Sequence, residues 1–372
     1  MELKNFKCFQ QQRIDFRPLT LLTGVNSAGK STVIQALLLL QQNFPLICDI
    51  LSIKSDEDPI KKYERLKFHV SGALVNLGLP KDVLNTNADD DTFAIHFDEH
   101  ELNFSLEGVV VDDDLQLIIR GNALTCYGAK NFQYLQADRL SPQTLFPIPQ
   151  IQHLNTNAIG NKGEFAPYHL YKAGQTKILH AETTGPNLLA ANAAGDSPTL
   201  QIQTEAWLSQ LGAPVRIETE RPTGTDAVVL RFSFPNISPS YYRPTNVGFG
   251  LTYALPILVA ALRAPVGSLL IVENPEAHLH PKGQALIGHF LARAAACGVQ
   301  IIIETHSDHV LNGIRVAVKH AQISPEDVQI NFFYQQDGMS TISVPKIDKD
   351  GHIDQWPEDF FDEWDKQLSE LL

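Results

Sequence analysis

The sequence predicts an α/β chain: a mainly parallel sheet flanked by helices, joined to antiparallel β structure and split by a long mixed insertion. Three observations predict it. The glycine-containing segment "GVNSAGKST" at 24–32 stands between an apolar strand pattern and a helical one. From Thr245 onward, short apolar runs alternate with helical patterns, as in parallel sheets with crossover helices. Between residues 93 and 121, apolar and polar residues alternate with turn signals, as in antiparallel strands.

Taken in order, residues 2–24 read as three short strands, "ELKNFKCF", "QRIDF" and "LTLLTG", the last a buried run ending at Gly24. A helix follows from Ser31 to about Gln42 on "VIQALLLL", with a stop near Pro45. "KSDEDPIKKYERLKF" reads as a charged, exposed segment. "VSGALVNLGLPKDVL" and "FAIHFDEHELNFSLEGVVVDDDLQLIIRG" read as antiparallel strands, with Asp112 to Asp114 at a turn. "QYLQADRLSPQ" is a strand running into a turn. "SPQTLFPIPQIQHLNTNAIGNKG" is rich in Pro, Asn and Gly and reads as loop. "LQIQTEAWLSQLG" has the pattern of a short amphipathic helix. No heptad pattern is sustained, so no long coiled-coil arm is expected.

Beyond Thr245, "GLTYALPILVAALRA" reads as a helix with Pro256 in its first turns. "SLLIVE" and "VQIIIET" read as strands, "KGQALIGHFLARAAACG" and "HVLNGIRVAVKHA" as helices. The tail "WPEDFFDEWDKQLSELL" is an acidic helical pattern carrying aromatics. The expected division is 1–60, 61–240, 241–345 and a tail, 346–372.

The 372 residues allow two or three domains. Hydrophobic residues are 44% and charged residues 19%, ordinary for a globular protein. The formal net charge of -13 argues against general nucleic-acid binding, because phosphate contacts need Lys and Arg. DNA is not indicated as a partner by charge, but a local basic patch would permit it. Cys8, Cys48, Cys126 and Cys297 have no zinc-ligand spacing and read as reduced thiols. No signal peptide or membrane span is legible, and a cytoplasmic location is expected.

"GVNSAGKST" matches G-x-x-x-x-G-K-[ST]. The residue types suit phosphate chemistry. Gly24 and Gly29 let the backbone wrap close to phosphate oxygens. Asn26, Ser27, Ala28 and Thr32 complete the cradle and helix start. Lys30 reaches the β/γ-phosphates of a nucleotide, and the Ser31 hydroxyl binds Mg²⁺. Later in the chain, "IVENPEAHLHP" ends an apolar strand in Glu273, the place from which a carboxylate holds Mg²⁺. "TNVGFGLTYALP" puts Asn246, Gly248 and Gly250 at a helix start able to bind an anion. "IIIETHSDHV" puts His306 just past another apolar strand. Each also has a plainer reading: a tight turn for the glycines, a helix cap or surface residue for His306.

This order of motifs resembles the ATP-binding-cassette class, in its SMC-like and RecF-like branch. "NVGFG" then corresponds to the signature motif, "IVENPEAHLHP" to Walker B plus D-loop, and His306 to the switch histidine. Beyond the nucleotide motifs, "YLQADRLSP", "NKGEF", "ETHSDHVLNGIR" and "GHIDQWPEDFFDEWDKQL" resemble AAA-labelled ATPases related to the overcoming-lysogenisation-defect family and to Septu- and Gabija-type phage-defence ATPases. The tail resembles their small C-terminal domain of unknown function. The resemblance implies an ABC-type P-loop head that binds ATP and Mg²⁺. It implies a head-to-tail homodimer closed over ATP by Gly248 and Gly250 of the second copy. It also implies a defence role, with a separate effector such as a nuclease, since the nuclease domain of full-length relatives has no counterpart here. A RecF-like DNA-binding ATPase stays open as the alternative.

Two departures matter. Asn274 stands where many such enzymes carry a second carboxylate, and an amide takes no proton. Glu276, two places on, is the expected substitute, because residues two apart share a face in an extended segment. Slow hydrolysis is the expectation. His278, His280, His306 and His309, with Glu304 and Asp308, have zinc-binding residue types but are not expected to hold a metal. For the glutamine that links Mg²⁺ to partner motion, Gln41, Gln42 and Gln136 are all candidates.

Overall fold

In the computed structural model, the described residues are 1–45, 47, 69–99, 102–111, 114–121, 131–150, 158–178, 188, 190, 194 and 197–371. In chain order they form β1 (Glu2–Phe6), β2 (Phe9–Arg13), β3 (Leu19–Gly24), α1 (Lys30–Gln42), β4 (Thr92–Glu99), β5 (Leu102–Val111), β6 (Asp114–Gly121), β7 (Phe132–Leu135) and β8 (Leu145–Pro147). Then follow α2 (Ala166–Ala173), α3 (Leu200–Gln210), β9 (Arg216–Glu220), β10 (Ala227–Phe234), β11 (Ser238–Tyr242), α4 (Phe249–Arg263) and β12 (Leu269–Glu273). The last are α5 (Pro281–Ala296), β13 (Gln300–Glu304), α6 (Asp308–Lys319), β14 (Val328–Gln336), β15 (Met339–Ser343) and α7 (Glu363–Leu371).

The chain forms two compact units, 1–16 with 23–129 and 331–344, and 17–22 with 130–330 and 345–372. The first unit is built on period-two alternation. β2, β1, β4, β5 and β6 lie in that order, all antiparallel. Leu3, Phe6, Phe93 and Ile95 are buried, and Phe6 meets Phe93 edge-on at 5.7 Å. The same unit holds α1, whose apolar residues Val33 to Leu40 are almost all buried. A helix apolar on most faces belongs in a core, which is where this one lies.

The second unit contains the parallel sheet. β3, β13, β12 and β7 are neighbours in that order, all parallel. Their sequences are continuous apolar runs because both faces are covered: Leu269 to Val272 and Ile301 to Ile303 are buried. The registers Leu135–Val272, Glu273–Glu304 and Glu304–Leu22 bring the C-terminal ends of all four strands to one edge. In parallel α/β sheets that edge is where ligands bind. The chain leaves it at residue 23, directly into the glycine-containing loop.

Helices α5 and α6 of this unit approach backbone to backbone. A Cβ on Gly313 would lie 1.9 Å from the carbonyl oxygen of Ala285. Gly313→Ala gains helix propensity, about 1 kcal/mol, but the crowding costs more, about 1–3 kcal/mol or above. Urea unfolding is expected to show a lower midpoint for Gly313→Ala. An unchanged or higher midpoint would mean that the helices separate freely there.

Several local expectations change. The segment 70–84 forms no strands; it has the bridges Ser71–Asn76 and Phe6–Leu84 and a 3-10 turn at Pro80–Val83. The proline starts that turn and removes a ladder donor. β2 begins at Phe9, earlier than "QRIDF". Within the expected 141–163 loop, Leu145–Pro147 is a strand on β10, with residues 227–229 as partners. α3 is not amphipathic in place: Gln203, Thr204 and Glu205 are buried along with Trp207 and Leu208. The Gln203 amide bonds Ala190 and Ser197 backbone, and Glu205 pairs with Arg216 at 2.7 Å. The charged 54–68 segment, Cys48, Cys126, Asp112 and Asp113 lie outside the described residues.

Candidate functional site

The glycine-containing loop belongs to the first unit. Gly24 has φ 131°, and a Cβ there would sit 2.0 Å from the Phe333 carbonyl oxygen. Gly29 has φ 108°, with Phe9 2.4 Å from where its Cβ would be. Both positions therefore require glycine. Ser27 is also left-handed at φ 62°, and Val25 N–H donates to Phe333 O at 3.1 Å. Asn26 and Ser27 are exposed at the loop crest, while Ala28, Gly29, Lys30 and Thr32 are buried.

α1 starts at Lys30 with no side-chain cap and no acid in its first turn. A helix start carries positive potential, which favours an anion. Ser31 is exposed on that first turn. Lys30 is only 4% exposed, and its ammonium donates to Gly24 O at 3.0 Å and Val25 O at 2.8 Å. This cradle fits a nucleotide phosphate: glycines where a Cβ would clash, an uncapped helix end, and a cation at the loop's centre.

The acid turn belongs to the second unit. Glu273 ends β12. Its Oε1 accepts from the Tyr134 hydroxyl at 2.9 Å and its Oε2 from Ala137 N–H at 3.0 Å. Burial and the Glu273 charge push the Tyr134 phenol up, so it stays protonated and donates. Each carboxylate oxygen has a second lone pair for a cation.

Asn274 departs from the strand with φ 42°. Its N–H donates to Glu304 O, and its carbonyl accepts from Arg139 Nη2 and, at 3.1 Å, from Ala277 N–H. The segment is thus a turn. The extended geometry expected to align Glu276 with Asn274 does not occur, because the left-handed Asn274 reverses the chain. Glu276 instead accepts from Thr305 Oγ1 at 2.7 Å and from His306 N–H at 2.9 Å. The carboxylate two residues late holds the turn that carries His306.

His306 is exposed, and it does not cap α6. Ser307 does so, accepting from Val310 N–H at 3.2 Å and donating to Gln284 at 2.6 Å. His278, His280, His306 and His309 do not converge. Among the described residues, the group with metal-ligand spacing is Asp348, Asp350 and His352, all exposed.

Gly248 is the N-cap of α4, again without side-chain cap or acid in the first turn. It is exposed, with nothing within 4 Å of a Cβ. Gly250 is more closely packed: a Cβ there would lie 3.0 Å from His278 O. Asn246 lies in the exposed turn just before. Gly248, Gly250, His278 and Leu279 line a cleft of about 240 Å³ with Leu211 and Phe234. The start of α4 and the turn after Glu273 are therefore one surface.

Two residues at this site escaped the sequence reading, Tyr134 and Arg139. Arg139 is 1% exposed and donates from Nη1 to Glu273 O at 2.7 Å. Burial pushes its guanidinium down to about 10, still charged at neutral pH. Their signal was in "YLQADR", read as a strand and turn. Of the candidate glutamines, Gln42 braces the 69–75 turn through His69, Leu74 and Val75 backbone. Gln136 stands at the end of β7, one residue before Ala137.

Residues 1–136 match the model of an AAA ATPase domain. Residues 231–312 match that of an AAA domain described as a putative AbiEii toxin of a type IV TA system. Residues 323–371 match a protein of unknown function, DUF3696. No curated protein matches the sequence. Solved structures with similar folds include an Smc head bound to the C-terminal winged-helix domain of ScpA, at 14% identity and TM-score 0.49, covering 94% of this chain and 97% of that one. An SMC head domain from Thermotoga maritima has 11% identity and TM-score 0.43, covering 92% and 97%. An Smc head with extended coiled coil, bound to the C-terminal domain of ScpA from Pyrococcus furiosus, has 15% identity and TM-score 0.47, covering 100% and 98%. The glycine-containing loop thus lies within one ATPase-domain match, the acid-ended strand and the histidine turn lie within a second, and the C-terminal region matches DUF3696.

Proposed function

We propose that the chain binds ATP with Mg²⁺, closes head to tail with a second copy around it, and hydrolyses it slowly. The observation that carries this is an intact phosphate cradle; the acid turn, whose second position is an amide, supports slow hydrolysis. Lys30, Ser31 and the first-turn N–H groups hold the phosphates, and Ser31 and Glu273 hold the metal. Mg²⁺, when bound, neutralises charge developing on the phosphates. Asn274 orients a water by hydrogen bonding but removes no proton. Glu276 acts through the turn it holds, keeping His306 in place beside the end of β13. Gln136, next to the Glu273-binding Ala137, is the best-placed glutamine to link metal and loop.

The slow step suits a switch. The resemblance to phage-defence ATPases supports a role as sensor for a separate effector in that setting. The net charge of -13 counts against a RecF-like grip on DNA as the main activity. Among the described residues, no helix is long and apolar enough to cross a membrane. The amide at Asn274 favours one alternative, a scaffold that binds ATP without turnover.

Gly248 offers the test of the dimer. A methyl there meets nothing within its own subunit and suits φ -59°, so the fold is expected to be unchanged. If this helix start grips the second copy's nucleotide, Gly248→Ala lowers ATP-dependent dimerisation in sedimentation and turnover per site, by about tenfold. Native dimerisation and turnover in Gly248→Ala would remove this face from the mechanism.

A further inference from the structure

Arg139 is almost fully buried, a position that guanidinium groups seldom take unless most of their donors are met. Nη1 donates to Glu273 O at 2.7 Å and to Gln136 O at 3.3 Å, and Nη2 donates to Asn274 O. All three acceptors are backbone carbonyls, so the side chain pins the acid turn to the end of β7. Nε is buried without a hydrogen-bond partner. The guanidinium lies over the Tyr253 ring, 5.5 Å from its centroid.

Tyr253 is buried on the first turns of α4, just beyond Gly248 and Gly250. Its ring also meets His278, with centroids 4.4 Å apart, and His278 meets Phe249 at 5.4 Å. His278 is held left-handed at φ 61°, a strained conformation for a histidine. Phe249 is 50% exposed beside Gly248. A continuous line of contacts thus runs from the Glu273 and Asn274 carbonyls, through Arg139 and three rings, to the open face of α4. Lysine cannot replace Arg139 in this line, because it has neither the planar fork nor the flat face.

We propose that Arg139 is a positioning residue that couples the acid turn to the start of α4 through Tyr253, so that a load on the Gly248–Gly250 face re-aims Glu273 and Asn274. The proposal rests on the reading of Glu273 as the metal-side acid. It assigns Arg139 no contact with nucleotide.

Two variants break the line at different points: Arg139→Lys loses the fork, and Tyr253→Leu leaves the fork but removes the ring beneath it. Both are expected to bind a fluorescent ATP analogue within about threefold of native affinity. Both are expected to lose about 10- to 100-fold in kcat. Because they cut one line, the double variant is expected to be no slower than the slower single one. Losses that multiply, or ATP affinity and kcat falling together, would make the residues merely structural. Hydrogen exchange supplies a readout that needs no turnover. The peptide covering 273–279 is expected to exchange faster in both variants, with β13 unchanged. A native chain without turnover sinks the hydrolase reading alone; unchanged exchange at 273–279 overturns the role of Arg139.

Discussion

Replacing Lys30 with alanine is expected to weaken ATP binding by about two to four orders of magnitude. Lys30 is buried, and its ammonium is bonded to the carbonyls of Gly24 and Val25 in its own loop. Those acceptors are neutral dipoles, so a phosphate anion entering the cradle is the stronger partner. Each hydrogen bond between a charged pair contributes about 1.5–3 kcal/mol. Two such bonds to phosphate oxygens amount to roughly 3–6 kcal/mol, or about 10²- to 10⁴-fold in Kd. Isothermal titration of Lys30→Ala with Mg-ATP is expected to show this loss against the native chain. A thermal melt without nucleotide serves as the control for folding. Retained tight binding by a folded Lys30→Ala would remove the phosphate-loop reading.

The second large effect is expected at the acid turn. Glu273→Gln keeps the shape of the side chain and removes its charge. The amide can still accept from Ala137 N–H and donate to the Tyr134 oxygen, so the turn survives. The electrostatic hold on the metal is lost, and removing one such element costs about 10²- to 10³-fold in turnover. ATP is expected to stay bound, and dimers to accumulate, because the cradle is untouched. Glu276→Gln is expected to be milder, about tenfold. The amide introduced there can still accept from His306 N–H while the Thr305 hydroxyl reverses its role. Equal losses in both variants would contradict this division of labour. Native turnover in Glu276→Gln would leave the residue a structural brace.

The phosphate loop and the parallel sheet were legible in the sequence because their signals are local. Gly24, Gly29, Lys30 and Ser31 stand at fixed spacing between an apolar strand and an apolar helix, and the loop's φ angles demand those glycines. Glu273 was legible as the polar end of a run buried on both faces. Tyr134 and Arg139 were not. Their chemistry lies in partners 139 and 134 residues away, and no local pattern announces it. The Asn274 turn was missed for another reason. A left-handed asparagine looks in sequence like any residue after a strand, and it converts an alternating register into a reversal. β8 was hidden because Pro147 and its neighbours carry turn residues, while an edge strand needs few ladder bonds.

The most direct measurement is multiple-turnover phosphate release by the purified native chain with Mg-ATP, run beside Lys30→Ala and Glu273→Gln over a range of protein concentrations. The account predicts slow release that rises per site as dimers form and falls to background in both variants. Native release no faster than that of Lys30→Ala would contradict it.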